Sequence, residues 1–130
     1  MLVAHVVFQP PASEQADPVV GRDVVAGWLT NGHAGRFVRV ESVRRTVHRV
    51  IADGDTAAVL QGMRAQTHDG RDYVNEYVFV YRVRDGYIDR IHSHADTLTA
   101  ARVGILPFEA PRPRQAERFD RDLPQVPGGR

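Results

Sequence analysis

The chain has 130 residues, with 17 basic side chains, all of them Arg, against 16 acidic ones, and no Cys. Near-neutral charge leaves no electrostatic footprint for nucleic acid or an anionic membrane surface. Without Lys no side-chain amine can form a Schiff base, and without Cys there is no thiol nucleophile, disulfide or cysteine zinc site.

The length fits one domain with a core of its own. Leu2 to Phe8 is a short apolar run that predicts a strand, bounded by Gln9-Pro10-Pro11. It lacks a basic flank and is too short for a signal peptide, and no later run reaches membrane-spanning length. The expected location is the cytoplasm. Pro10 to Pro18 reads as a loop. Arg22 to Thr30 places Val24, Val25, Trp28 and Leu29 at helical spacing, between Gly21 and Asn31-Gly32. Gly32 to Arg36 reads as a flexible connection.

From Val43 to Ile51 alternate positions hold Val43, Arg45, Val47, Arg49 and Ile51, a strand with two arginines among its apolar residues. Asp53-Gly54-Asp55 is a turn, and Thr56 to Thr67 the next strand. After the turn at His68 to Arg71 comes the most informative stretch, Tyr73 to Asp96. Aromatic and β-branched residues recur there at a density suited to a pleated surface. Arg84-Asp85-Gly86 interrupts it with a hairpin signal. Alternation puts Tyr73, Asn75 and Tyr77 on one face and Val74, Glu76, Val78 and Val80 on the other. On the returning strand it separates Ile91, Ser93 and Ala95 from His92, His94 and Asp96. Thr97 to Val103 predicts a short helical turn. Beyond it, residues 107–130 hold five of the eight prolines amid mixed charge, which predicts an extended or disordered tail.

This order of elements resembles the cone-shaped α+β fold of the nuclear transport factor 2-like superfamily. The chain is most similar there to SnoaL-like polyketide cyclases and ketosteroid-isomerase-related proteins. The likeness is carried by Gly21-Arg22, Val50-Ile51-Ala52-Asp53-Gly54-Asp55 and Gly70-Arg71-Asp72-Tyr73. It continues through Asn75 to Gly86 and ends at Ile91 to Thr97. It implies a domain over residues 1–106, with a curved antiparallel sheet packed on few helices. The one or two helices that usually precede the first strand are absent, which implies a late start or a more open pocket. Relatives often carry Arg-Glu-Tyr-Phe-Asp-Thr in the last strand where this chain has His92-Ser93-His94-Ala95-Asp96-Thr97. Ser93 thus replaces an acid, and Gln61 to Gln66 lacks the Arg-x-Asp of epoxide-hydrolase-like members.

The resemblance implies an isomerase or cyclase acting by proton abstraction on a hydrophobic carbonyl compound, polyketide- or steroid-like, without metal or cofactor. Asp96 is its expected acid/base, with His94 and His92 beside it. Trp28, Tyr73, Asn75, Tyr77 and Ser93 are the expected substrate contacts. Other readings stand beside these. Asp96 can cap the helix that begins at Thr97. His92 and His94 can share a metal with His48, Glu76 or Asp96. Tyr77, Phe79 and Tyr81 can be core packing. The same fold also serves as a non-catalytic ligand-binding or dimerisation module. The apolar strip of Val74, Val78 and Val80 predicts a homodimer through the outer sheet face.

Overall fold

The computed structural model describes residues 1–11, 17–30 and 32–105. The proline-rich tail expected over residues 107–130 lies outside them. The described strands are β1 (Leu2–Gln9), β2 (Val19–Val20), β3 (Arg44–Asp53), β4 (Thr56–Gln66), β5 (Asp72–Arg84) and β6 (Tyr87–Ala95). They form one six-stranded sheet in the order β2-β1-β6-β5-β4-β3. From β3 to β6 the sheet is a meander of antiparallel hairpins, because each connection is a short turn. The β5–β6 turn places Asp85 and Gly86 at φ 52 and 80, the left-handed values that suit a tight hairpin. The expected curved antiparallel sheet packed on few helices is present, and at one side β1 joins it parallel to β6. That parallel pair needs a long crossover, which runs from β1 through β2, the helix and the whole meander.

Helix α1 (Arg22–Leu29) and helix α2 (Thr97–Arg102) lie against one face of this sheet. Val25 of α1 is wholly buried with Val6, Phe8, Phe79 and Ile91. A second cluster holds Val38, Met63, Ala65, Tyr73, Ala100 and Ile105. Period-two alternation makes this possible: Tyr73, Asn75, Tyr77 and Phe79 all project to the helix side, and Val74 and Glu76 project away. The helices cover only part of the inner face. On β3, Val47 and Val50 remain 58% and 59% exposed.

The alternation expected across β3 breaks at His48. Val47 pairs with Gln61 but Arg49 pairs with Leu60, so one extra residue bulges out of the ladder. Arg45 and Val47 therefore face the inner side, and Arg49 and Ile51 face the outer side. The two arginines do not share a face, because a bulge inverts every later position on its strand.

Candidate functional site

Between α1, α2 and the inner face of β4 to β6 lies a cavity of about 240 Å³. Its walls are apolar, with Phe8, Trp28, Phe79 and Ile105 among them, and its polar groups come from His33, Arg45, Gln61, Tyr77, Tyr81 and Ser93. No Asp or Glu lines it among the described residues. An apolar cavity with a few convergent polar groups is the usual form of a small-ligand site.

The polar wall is wired from behind. Asn75 is 3% exposed, and all of its amide is used. Its Oδ1 accepts the backbone N–H groups of Glu76 (2.8 Å) and Asp96 (3.2 Å). Its Nδ2 donates to the Asp96 carbonyl (2.9 Å) and to the Tyr73 hydroxyl (2.9 Å). Tyr73, 1% exposed, is in turn 2.7 Å from the Tyr77 hydroxyl. The direction of that last bond follows from satisfaction. If Tyr77 donated to Tyr73, the Tyr73 hydrogen would be buried with no acceptor among the described residues, at a cost of about 1–3 kcal/mol. Tyr73 donates to Tyr77 instead, and the Tyr77 hydrogen is left for the cavity. Burial and the adjacent Tyr73 push the Tyr77 phenol well above its ordinary pKa, so it stays a neutral donor; Arg45 opposes this shift. Burial raises Tyr81 as well, again opposed by Arg45.

The expected substrate contacts thus divide. Trp28, Tyr77 and Ser93 line the cavity. Tyr73 and Asn75 are not among the lining residues; Asn75 is bonded to Tyr73, and Tyr73 to Tyr77. Ser93 is 1% exposed and donates to the Gln9 carbonyl at 3.1 Å, which ties β6 to β1.

The expected acid/base residues stand away from the cavity. His92 and His94 pair with Val80 and Val78 on the outer face of the sheet, opposite the cavity. They stack on each other at 4.6 Å. Burial, then the charges of His94 and Arg90, hold His92 below its ordinary value, and its Nε2 is buried with no hydrogen-bond partner among the described residues. Asp96 is the N-cap of α2. Its carboxylate accepts from the Thr99 backbone N–H (3.1 Å) and the Thr99 hydroxyl (2.8 Å), which lowers its pKa. None of the three lines the cavity. The physical reason is strand parity: Ser93 and Ala95 take the inward positions of β6, so their neighbours point outward. Of the three further ligands considered for a metal, His48 and Glu76 lie 3.2 Å from each other and Asp96 caps α2. Among the described residues no group of three His, Asp or Glu is placed to hold a metal ion.

Four polar lining residues, Tyr81, Arg45, Gln61 and His33, escaped the sequence reading. Tyr81 shares the two-residue period of Tyr77 and could have been found. Arg45 and Gln61 face inward through the β3–β4 register, which the sequence does not show. His33 stands in a stretch without periodicity, and only the fold brings it to the cavity.

A SnoaL-like domain model matches residues 1–91. The chain belongs to the SnoaL-like domain family. Solved structures share the fold at low identity. An NTF2-like protein of unknown function from Burkholderia pseudomallei aligns with a TM-score of 0.66, 22% identity and 78% of each chain. A protein from Jannaschia, provisionally described as a SnoaL-like polyketide cyclase, has a TM-score of 0.67 and 13% identity over 82% of this chain and 75% of its own. IdmH from Streptomyces antibioticus, provisionally a polyketide cyclase, has a TM-score of 0.59 and 22% identity over 79% of this chain and 81% of its own. No curated protein matches the chain. No helix among the described residues is long and apolar enough to cross a membrane.

Proposed function

We propose that this SnoaL-like domain is an isomerase- or cyclase-type enzyme that moves a proton on a hydrophobic carbonyl compound of polyketide- or steroid-like shape. The observation that carries the reading is the relay Asn75–Tyr73–Tyr77, which ends in a hydroxyl hydrogen at the wall of an apolar cavity. A carbonyl oxygen seated there accepts that hydrogen. When the adjacent C–H bond breaks, negative charge gathers on the oxygen, and a donor already oriented by two buried residues stabilises it without reorganising. Arg45 adds positive potential close to Tyr77 and Tyr81. Phe8, Trp28 and Phe79 supply apolar surface for the carbon skeleton. The polyketide-cyclase descriptions of structural neighbours agree with this class of substrate.

The test begins with a thermal-shift screen of hydrophobic ketones and polyketide-like phenols. Exchange of α-hydrogens for deuterium in D₂O is then followed by proton NMR on a ketone such as 2-tetralone. Tyr77→Phe should slow protein-accelerated exchange by about 100-fold or more, the usual worth of one oxyanion donor. A Tyr77→Phe variant as fast as wild type sinks the assignment. Ketone binding with no exchange would make the domain a ligand-binding module.

We also propose that the chain forms a homodimer through the outer sheet face. Val74 and Ile51 are 49% and 53% exposed there, beside the half-buried Val78 and Val80. A strip of that kind is stabilised by a cover. Sedimentation velocity at micromolar concentration should show a dimer, and a monomer removes the claim.

A further inference from the structure

The proton-transfer reading needs a base at the cavity, and Asp96, His92 and His94 do not reach it. Among the described residues the only imidazole on the cavity wall is that of His33. His48 is paired with Glu76, and His68 is bonded to the Gly35 carbonyl on the surface.

The partner of His33 decides which of its nitrogens is basic. Nε2 lies 2.9 Å from the Ile105 carbonyl oxygen. A carbonyl can only accept, so Nε2 carries the hydrogen. A neutral imidazole has a single N–H, and Nδ1 is therefore left with a bare lone pair. The ring is also held in place. It stacks on Trp28 at 4.1 Å with planes 10° apart, and Phe37 packs against it at 5.6 Å. The chain reaches this position by doubling back on α1 through Gly32, whose N–H donates to the Gly27 carbonyl at 2.8 Å. A Cβ on Gly32 would stand 2.5 Å from that oxygen, so the approach requires glycine.

We infer that His33 is the general base of the cavity, acting through Nδ1 on the carbon acid whose oxygen Tyr77 holds. The assignment rests on the proton-transfer reading and adds to it the group that takes the proton. The C–H bond next to the carbonyl breaks, and its proton goes to Nδ1. The electron pair moves into the carbonyl system, and the enolate oxygen keeps the Tyr77 hydrogen bond. Where a further C=C is conjugated with the enolate, return of the proton from Nδ1 to its γ-carbon shifts the double bond and completes an isomerisation with no oxidant or reductant. In the imidazolium, Nε2–H still donates to Ile105, and the face of Trp28 lies against the cation. Among the described residues the other titratable groups facing the cavity are Arg45, Tyr77 and Tyr81. A guanidinium has no acceptor, and burial raises both phenols.

Two measurements on the full chain test this. In the first, nitrogen-15 NMR of the imidazoles should show His33 as the Nε2–H tautomer; an Nδ1–H tautomer overturns the proposal and needs no variant. In the second, His33→Gln keeps an amide donor for the Ile105 carbonyl but cannot take a proton. Deuterium exchange into 2-tetralone should fall by about 100-fold or more, and the imidazole limb of the pH–rate profile should vanish. The double variant His92→Gln, His94→Gln should retain both rate and profile. Wild-type exchange or an unchanged profile in His33→Gln overturns the assignment while a slow Tyr77→Phe keeps the relay. No acceleration by the wild type removes the proton-transfer reading and this inference together.

Discussion

On β5, Tyr73, Asn75, Tyr77 and Phe79 turn toward the helices, and Val74, Glu76, Val78 and Val80 turn away. Both faces hold polar and apolar groups, yet they are used differently. Inside, each buried polar atom of Asn75 and Tyr73 is bonded to a neighbour, and the chain of bonds ends at the cavity. Outside, the His48–Glu76 pair spans β4 at Gly62, where an added Cβ would come within 3.0 Å of His48. Both partners are largely exposed, and such a pair contributes little. Polar groups in low dielectric must be satisfied and so become ordered; in water they need not be. Acid/base chemistry was expected beside the outward histidines, and it is the inner face that has the order chemistry requires.

The largest effect should separate the faces by stability. Ile91, wholly buried against β1 and α1, should cost about 2–5 kcal/mol when cut to Ala. Val74→Ala, at a half-exposed outer position, should stay within about 0.5 kcal/mol in the monomer. Urea denaturation of both variants measures the contrast, and equal losses would dissolve it.

Gly32→Ala comes next. The new methyl group meets the Gly27 carbonyl, and relief must shift the turn that carries His33. A loss of about 1–3 kcal/mol is expected, with weaker ligand-induced stabilisation in thermal melts. Gly62→Ala should leave ligand stabilisation as it is, because its contacts are on the outer face.

The outward imidazole of His92 should be visible in the pH dependence of stability. His92 is held below its ordinary value of 6.5, so the unfolded chain takes up a proton before the folded one does. Its contribution is therefore whole above about pH 6.5 and declines as the pH falls through that value toward the lower folded pKa. His92→Gln should flatten this part of the curve, measured by urea denaturation between pH 7.5 and 5 at roughly half-unit steps. An unchanged slope would refute the shift.

The smallest effect concerns Asp96. Asn can cap α2 as Asp does and Ala cannot. Asp96→Asn should melt near wild type and Asp96→Ala slightly lower, with deuterium exchange into 2-tetralone unchanged in both. A large loss of exchange in Asp96→Asn would return the acid/base role to that residue and contradict the geometry.

Much of this protein follows from local pattern. The two-residue period of β4 to β6, the Asp-Gly turn at Asp85-Gly86 and the helical spacing of Val25 and Trp28 are properties of neighbouring residues, legible without a fold. The same parity already separated Ser93 from His92 and His94. What it could not say is which side is concave, because both faces of a lone hairpin look alike until helices cover one. That choice set Tyr77 and His33 on the cavity wall and left His92, His94 and Asp96 away from it. Three further facts depend on residues far apart in the chain. They are the parallel pairing of β1 with β6, the bulge that turns Arg45 inward, and the bond between His33 and a carbonyl 72 residues away. Sequence alone determined the strands, their turns and the alternating pattern, since these rest on short-range sterics and burial. Tertiary structure decided which alternating set lines the cavity, because only packing assigns a face to the interior and brings a distant imidazole to it.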